Sequence, residues 1–578
     1  MSKKLKIKLA FLITAICVLS IISYKTRNVN TFDYSQKIGG NAINCTPTKF
    51  LLGNIDSTKQ IAPLFENLGK HTYTVTTKSE LAQRFFNQGL RLTYGFNHAE
   101  AHRSFMEASR LDPNCAMAFW GQAYALGPNI NDPSPDDERK NKYNEAIKKA
   151  KQLSLNTSQK EQALIEALTH RYSTDLSEDV KTLNMAYMQA MAKVASIHTE
   201  DSDIQTLYAA SVMNTVPWNY WDKDGNPSPN IPEAKAALEK AMTLDPHNPG
   251  AHHYYIHMVE LPYPDLGVPS AEKLGSLMPA AGHIVHMPSH IYIRVGRYKD
   301  AVKVNQEAIL ADEDYISQCY SQGMYPLGYY PHNIHFLWSA SSLLGNSKIA
   351  IEAAKKTAEK VPVGEMNELH FLQNFASTPL LAYTRFGKWN DILTNPKPND
   401  SIKHLKLIWH YARGVAFTRK NNITEAQEEL EAIDVLIKDP KMETISATGF
   451  DNGTTLAKLA YEIVAGEIAS TKNDYASAIH HFENAIKIED ALIYNEPSSW
   501  HIPPRQNLGV VLMKAKKYAE AEKIYNEDLK LLRQNGWSLM GLYQSLKAQG
   551  KLKEATKIKL EFVTAWSDAD IEINTSIL

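Results

Sequence analysis

The sequence predicts an all-α fold, a superhelical solenoid of helix–turn–helix repeats, and three observations support this. The chain has 578 residues, too many for one compact core, so it holds several domains or a repeat array. Small residues return at regular intervals, as they do where antiparallel helices pack closely. No stretch shows sustained alternation of polar and apolar residues, which argues against a sheet domain.

Residues 1–25 are predicted to be a signal peptide or a single-pass membrane anchor. Four early lysines precede an apolar run from Leu9 to Ile22. A spanning helix usually needs about 20 apolar residues, and this run is shorter, so both alternatives stay open. The leading lysines favour a cytoplasmic N-terminus and place the rest of the chain outside the cytoplasm. We therefore expect a protein of the cell envelope, either periplasmic or membrane-anchored.

The body of the chain carries the repeat pattern. Residues 26–79 are polar with weak periodicity and are predicted to be a spacer. In LAQRFFNQGLRLTYGFNHAEAHRSFMEASRLDP, the small residues Gly89, Ala101 and Ala108 lie where two helices must meet, and Phe105 fills the space between them. YEIVAGEIASTKNDYASAIHHFENAIKIED repeats this arrangement near the C-terminus.

These segments resemble tetratricopeptide repeats over most of the chain. The resemblance implies a right-handed superhelix of helix pairs with a concave groove, used most often to bind peptides or protein partners. We predict an N-terminal and central array with a histidine-rich groove over residues 80–345, and a C-terminal array over residues 346–570.

Charge and cysteine content exclude some classes of function. The 62 basic and 63 acidic residues give a formal net charge of -1, so we expect no nucleic-acid partner. Four cysteines are too few for a disulfide-built domain. Beyond Cys17, a bridge between Cys45 and Cys115 and simple burial as thiols both remain open, and Cys319 has no predicted partner.

Histidines recur at helical spacing in the middle of the chain. His253 and His257 are four residues apart, as are His286 and His290, and each pair shares a helix face. The two pairs are 33 residues apart, which is close to one repeat period. Because the first helix of each tetratricopeptide pair lines the groove, we expect these histidines to converge there. The predicted groove residues are His253, His257, His286, His290, Tyr292, Arg294, His332 and His335.

Two interpretations of this face remain open. Paired imidazoles suit Zn, Cu or Fe, with Glu260 as a carboxylate partner. The predicted metal ligands are then His253, His257, Glu260, His286, His290 and His335. Alternatively, the side chains hydrogen-bond an anionic or polar ligand or simply pack. Pro288 can start or kink a helix and would then separate His286 from His290. His98 and His102 would belong to the same cluster only if the solenoid closed on itself.

The functional expectation rests mainly on the repeat class. A turn-rich loop carries Trp218, Tyr220 and Trp221, which could stack on sugar rings or pack between repeats. Metalloprotease, phosphate-loop and nucleophile-elbow motifs are absent from the sequence, no residue is assigned a catalytic role, and a non-enzyme is favoured over an enzyme. We predict an envelope scaffold for a protein or peptide partner. A related hypothesis is an accessory role in an envelope system for polysaccharide uptake or degradation. The alternative is a metal-binding protein or metalloenzyme built on the central histidines.

A second resemblance concerns the histidine-rich stretches. DPNCAMAFWGQAYALGPNIN and HMPSHIYIRVGRY resemble exported, histidine-rich bacterial tetratricopeptide proteins. This resemblance implies no particular activity.

Overall fold

A computed structural model describes residues 59–318 and 325–578. Within these ranges the chain is a succession of antiparallel helix pairs, without strands. The predicted N-terminal signal or anchor, Cys45 and Cys319 lie outside the described residues. The all-α repeat solenoid that the sequence predicts is therefore confirmed for the part of the chain that is described.

The helices are numbered here in chain order. The first eight are α1 Glu80–Tyr94, α2 His98–Leu111, α3 Ala116–Leu126, α4 Asp137–Leu153, α5 Gln159–Thr169, α6 Val180–Ile197, α7 Ser202–Met213 and α8 Ile231–Leu244. The central helices are α9 Pro249–Val259, α10 Pro264–Leu277, α11 Gly282–His286, α12 Pro288–Arg294, α13 Tyr298–Gln318, α14 Tyr330–Leu344 and α15 Ser347–Glu359. The C-terminal helices are α16 Phe371–Arg385, α17 Trp389–Leu393, α18 Lys403–Arg419, α19 Ile423–Ile437, α20 Lys441–Thr444, α21 Gly453–Thr471, α22 Tyr475–Ala491, α23 Pro504–Lys514, α24 Tyr518–Leu531, α25 Gly536–Ala548 and α26 Leu552–Ala565. Short 3-10 turns at Ser154–Asn156 and Val363–Glu365 and a π-turn at Tyr325–Tyr329 connect some of them.

Helix starts and close contacts follow from local sequence. Asn and Asp side chains accept a backbone hydrogen bond at many helix N-termini, for example Asn97 before α2 and Asp201 before α7. In the first pair, a Cβ on Gly89 would lie 2.6 Å from the Phe105 ring, so the glycine permits the close packing of α1 and α2. This is the contact that the small-residue pattern predicts.

The array turns back on itself in two places. Helix α9 packs against α1, and α25 packs against α14. At the second contact, the indole nitrogen of Trp537 donates to the Ser342 carbonyl over 3.0 Å. The Tyr298 hydroxyl likewise donates to the Arg533 carbonyl over 2.7 Å. These contacts bring the first and the last repeats against the central ones.

The segment before α1 is docked on the repeats. Residues 59–79 belong to the predicted spacer, yet Ile61, Leu68 and Tyr73 are buried. The Ile61 amide donates to the Glu107 carboxylate over 2.9 Å. The apolar residues of this segment follow no helix or strand period, so pattern reading does not reveal their burial.

Two further features concern the predicted location and redox state. No helix in residues 59–318 and 325–578 combines the length and apolar character needed to cross a membrane. Cys115 is a buried free thiol.

Candidate metal centre

Helix α9 holds the first histidine pair. The rings of His253 and His257 are 4.9 Å apart, as their spacing of four residues requires. A Cβ on Gly250 would lie 2.6 Å from the Tyr94 ring, so the glycine allows α9 to approach α1. Through this approach His253 Nδ1 donates to the Tyr94 carbonyl over 2.5 Å. The lone pair of His253 therefore lies on Nε2.

The second pair lies across a break between two short helices. Helix α11 ends at His286, and α12 begins with Pro288 at its first position, where a proline is well tolerated. Met287 between them keeps helical dihedrals, with φ -51° and ψ -35°. The Nε2 atoms of His286 and His290 are 3.0 Å apart. Pro288 interrupts the helix but does not separate the pair.

Two sets of three histidines each bring their nitrogens close enough to share an ion. In the first trio, His253, His257 and His283, the candidate ligand atoms lie within 4.8 Å of one another. The second trio, His286, His290 and His332, meets the same limit. All of these histidines are buried except His332, which is half-buried. The three segments come from the first helices of three successive pairs, α9, α11–α12 and α14.

Glu260 lies between the trios. Its Oε2 is 2.6 Å from His290 Nδ1, and its Oε1 is 3.6 Å from His257 Nδ1. The contact to His290 is an ion pair whose alignment is poorer than that of an ideal hydrogen bond. Burial raises the pKa of Glu260, but charge interactions and hydrogen bonding with His290 and His257 outweigh it and lower that pKa to about 2. Glu260 is therefore an anion next to both trios, and a set of His257, Glu260 and His290 is also within 4.8 Å.

Asn305 fixes the orientation of His286. The Asn305 amide nitrogen donates to the Ala301 carbonyl over 2.7 Å, so its oxygen faces His286 Nδ1, also at 2.7 Å. His286 Nδ1 is then the donor, and Nε2 carries the lone pair. Metal-bound histidines are typically held in this way through their second nitrogen.

Burial keeps most of these imidazoles neutral. It lowers the pKa of His253, His283 and His286 well below the usual value for histidine, and neighbouring histidines lower it further. Burial has the same effect on the pKa of His332 and lowers that of His257. Neutral imidazole is the form that binds a metal ion.

Several buried polar atoms in this cluster lack a hydrogen-bond partner among the described residues. They are His253 Nε2, both nitrogens of His257 and of His283, His290 Nδ1 and both carboxylate oxygens of Glu260. Each unsatisfied buried polar group costs about 1–3 kcal/mol. Their concentration in one place indicates a binding site rather than an ordinary core.

A cavity of about 760 Å³ lies against the cluster. His257, His283, His290 and His332 line it, together with the turn between α1 and α2, the loop between α3 and α4, the loop before α8, and the loops before α21 and after α22. Phe96 lies against the first trio, with its ring 8° from parallel to that of His257 and 23° from parallel to that of His283.

The remaining predicted groove residues lie around this centre. His335 packs against Trp338 and Phe375 rather than joining a trio. Tyr292 is buried beneath Arg297. Arg294 lies 5.7 Å from the centre of the Tyr494 ring.

Of the aromatic residues in the loop before α8 and the two histidines of α2, some line the cavity and the others pack between helices. Trp218 lines the cavity and meets the His257 ring edge-on at 5.1 Å. Trp221 donates to the Met258 carbonyl over 2.7 Å and Tyr220 is buried, so both pack between repeats. Because α9 returns to α1, His98 also lines the cavity, whereas His102 is buried one turn further along α2.

Sequence reasoning missed Phe96 and Asn305. Phe96 lies in the turn between α1 and α2 with φ +57°, an unusual backbone conformation for an aromatic residue. Asn305 lies on α13, 19 residues after His286. A buried Asn in the middle of an apolar helix face was the one available signal for it.

The comparisons with known proteins give distant similarity. No family model and no curated protein matches the chain. Among solved structures, the human IFIT1 dimer with m7Gppp-AAAA is 14% identical with a TM-score of 0.31, and the match covers 86% of this chain and 92% of that one. The APC/C hetero-tetramer Cut9-Hcn1 is 14% identical with a TM-score of 0.28, covering 85% and 74% of the two chains. Yeast Tom70 is 14% identical with a TM-score of 0.25, covering 84% and 90%. These similarities are too distant to assign a ligand or a partner.

Proposed function

We propose that this chain is a helical-repeat scaffold that binds two metal ions, one in each histidine trio. The observation that carries the proposal is the pair of Nε2 atoms of His286 and His290, 3.0 Å apart. Asn305 makes His286 Nδ1 the donor, and Glu260 favours the proton on His290 Nδ1. Two nitrogen lone pairs then face each other, and a shared cation would turn this repulsion into attraction.

A doubly protonated His290 would also satisfy that contact. Its second N–H would donate to His286 Nε2, without any metal. This alternative leaves the buried nitrogens of the first trio, His253 Nε2 and both of His283, without partners. A metal ion in each trio accounts for the facing Nε2 atoms of the second trio, and for His253 Nε2 and one nitrogen of His283 in the first.

The ligand types favour a borderline transition metal. Neutral imidazole suits Zn, Cu and Fe, whereas Mg and Ca prefer oxygen ligands. Glu260 would act as the common outer partner of His257 and His290, because its oxygens face their Nδ1 atoms. Carboxylate–histidine–metal arrangements of this kind fix the ring and raise its basicity.

Burial favours metal binding over a peptide groove at this place. His253 and His286 have no exposed surface, and His257, His283 and His290 are nearly as deeply buried. A protein or peptide partner would meet these side chains only through the cavity that His257, His283 and His290 line. A partner elsewhere on the scaffold, a location in the cell envelope and a role in polysaccharide uptake remain predictions from the sequence.

Elemental analysis of protein purified without a histidine tag tests the proposal. We expect two ions of Zn, Cu or Fe per chain, as the two trios require. His283→Ala should remove the ion of the first trio, and His332→Ala that of the second, so each variant should retain one. His335→Ala is the matched control, because it removes a neighbouring histidine that belongs to neither trio, and it should retain both ions. Protein that stays metal-free after dialysis against each ion would refute the proposal.

A further inference from the structure

Both trios face the same cavity. His257 and His283 of the first trio and His290 and His332 of the second line it, whereas His253 lies behind them. Each ion would therefore be held from behind and have its open side towards the cavity. Structural metal sites are closed by four protein ligands, whereas catalytic sites keep a position for a small ligand. Three histidines per ion, next to a cavity, match the second arrangement.

The cavity has the size and lining of a small-molecule site. Its volume of about 760 Å³ falls within the 300–1,000 Å³ typical of ligand pockets. Aromatic side chains from distant parts of the chain form much of its wall. They include Phe96, Trp218, Tyr329, Phe371, Phe450 and Tyr494.

The charged groups of the lining disfavour an anion. Asp132, Asp136 and Glu496 line the cavity, and Arg139 is the basic residue among the lining side chains. Arg139 forms an ion pair with Asp132, and Arg294 forms one with Glu496, so both positive charges are already compensated and Asp136 leaves an excess of negative charge. A carboxylate or phosphate ligand would meet more negative than positive charge away from the ions.

We propose that this cavity binds an uncharged aromatic small molecule whose single nitrogen or oxygen donor coordinates one of the ions. The flat body of the ligand packs among the aromatic walls, and its donor reaches the open side of a trio. This inference rests on the proposed metal function and adds the class of ligand that the metal centre receives.

Phe450 provides a variant that separates ligand binding from folding. It lines the cavity and is 37% exposed, so it lies at the opening rather than in the core. It lies in the loop between α20 and α21 and is not a member of either trio. Phe450→Ala should therefore leave the fold and the ions in place while removing part of the aromatic wall. Leu155→Ala is the matched control, since Leu155 is 85% exposed and does not line the cavity.

The experiment uses the full chain loaded with Co²⁺ and follows its visible absorption. The probes are imidazole, 4-phenylimidazole and 4-(imidazol-4-yl)benzoate, which share a donor but differ in their aromatic body and charge. We expect 4-phenylimidazole to change the spectrum at about tenfold lower concentration than imidazole, because the phenyl ring is buried. The benzoate should lose this advantage. Phe450→Ala should reduce the preference for 4-phenylimidazole severalfold, and Leu155→Ala should not change it.

The outcomes distinguish the two proposals. If no protein-bound Co²⁺ spectrum forms, the metal function itself fails. If the Co²⁺ spectrum forms but imidazole and 4-phenylimidazole bind equally, or the preference survives unchanged in Phe450→Ala, the metal function stands and the aromatic ligand is refuted. Equal binding of the benzoate and 4-phenylimidazole would refute the preference for an uncharged ligand.

Discussion

Glu260 links the two trios at the level of single residues. The sequence predicts it as a metal ligand, whereas its oxygens face the Nδ1 atoms of His257 and His290. Those two histidines belong to different trios, so one carboxylate would position a ligand of each proposed ion. A change at Glu260 should therefore affect both sites, unlike a change in any one trio.

We predict that Glu260→Gln weakens both sites together. Loss of an outer partner of this kind typically costs about 10–100-fold in metal affinity. Competition with a chromophoric chelator measures the affinity of each ion, with His332→Ala as the comparison that should affect one site. If Glu260→Gln lowers the affinity for one ion and leaves the affinity for the other unchanged, Glu260 does not position ligands in both trios.

Asp312 makes the free energy of unfolding depend on pH. It is fully buried and accepts hydrogen bonds from Tyr325 and Asn333, yet burial raises its pKa from 3.8 to about 7. Between these pH values the folded chain holds a proton that the unfolded chain has lost. The contribution of Asp312 to stability is therefore full below pH 3.8 and is lost as the pH rises through about 7.

We predict that Asp312→Asn flattens this dependence. Urea unfolding at several pH values between 4 and 8 should show the wild type losing more stability than the variant as the pH rises. Asp224→Asn, which changes an exposed carboxylate, should follow the wild type. Parallel curves for wild type and Asp312→Asn would contradict the assignment.

At the scale of elements, the contact between α1 and α9 fixes the position of His253 in the first trio. A Cβ on Gly250 would lie 2.6 Å from the Tyr94 ring, and His253 bonds the Tyr94 carbonyl. Gly275 on α10 is a matched glycine with no such constraint, because the nearest atom to its Cβ would be 3.9 Å away.

We predict opposite effects for alanine at these two glycines. Gly250→Ala should destabilise the fold by about 1–3 kcal/mol through overpacking. It should also lower the affinity of the first trio for its ion. Gly275→Ala should be neutral or stabilising by up to about 1 kcal/mol, since alanine favours a helix. Chemical denaturation and metal titration of both variants give the comparison. Equal stability of the two variants would mean that α1 and α9 are not in close contact.

The sequence predicts the helix pairs well and the membership of the trios only in part. The spacing of four residues brings His253 to His257 and His286 to His290, because helix geometry is local. The spacing does not reveal that His283 belongs to the first trio, with the α9 histidines, and not to the trio of His286. That membership depends on how two repeats pack. The spacing also does not reveal that His332, rather than His335, joins the second trio. Helix α14 follows a π-turn, and three residues further along a helix move a side chain by about 4.5 Å along the axis.

At the scale of the whole described chain, the proposed metal centre would connect distant repeats. Ligands come from α9, α11–α12 and α14, while α1 supports His253 and the loops near α21 close the cavity. An ion that binds only the folded arrangement stabilises it by mass action. Bound ions should therefore stabilise the folded repeat array.

We predict that removing the metal lowers the unfolding temperature. At a free ion concentration about 100 times the Kd, one site adds about 3 kcal/mol to the free energy of unfolding. Differential scanning calorimetry of chelator-treated and reloaded protein measures the shift. A variant with both His253→Ala and His332→Ala should show little shift on reloading. Identical unfolding temperatures for treated and reloaded wild type would contradict the prediction.

The most direct test of the account is anomalous diffraction from crystals of the metal-loaded chain, collected at the absorption edge of the bound metal. We predict two peaks, one about 2 Å from nitrogens of His253, His257 and His283, and the other at the same distance from nitrogens of His286, His290 and His332. Peaks only at exposed histidines such as His480, or no peaks within the repeats, would contradict the central claim that the interior histidines form a metal centre.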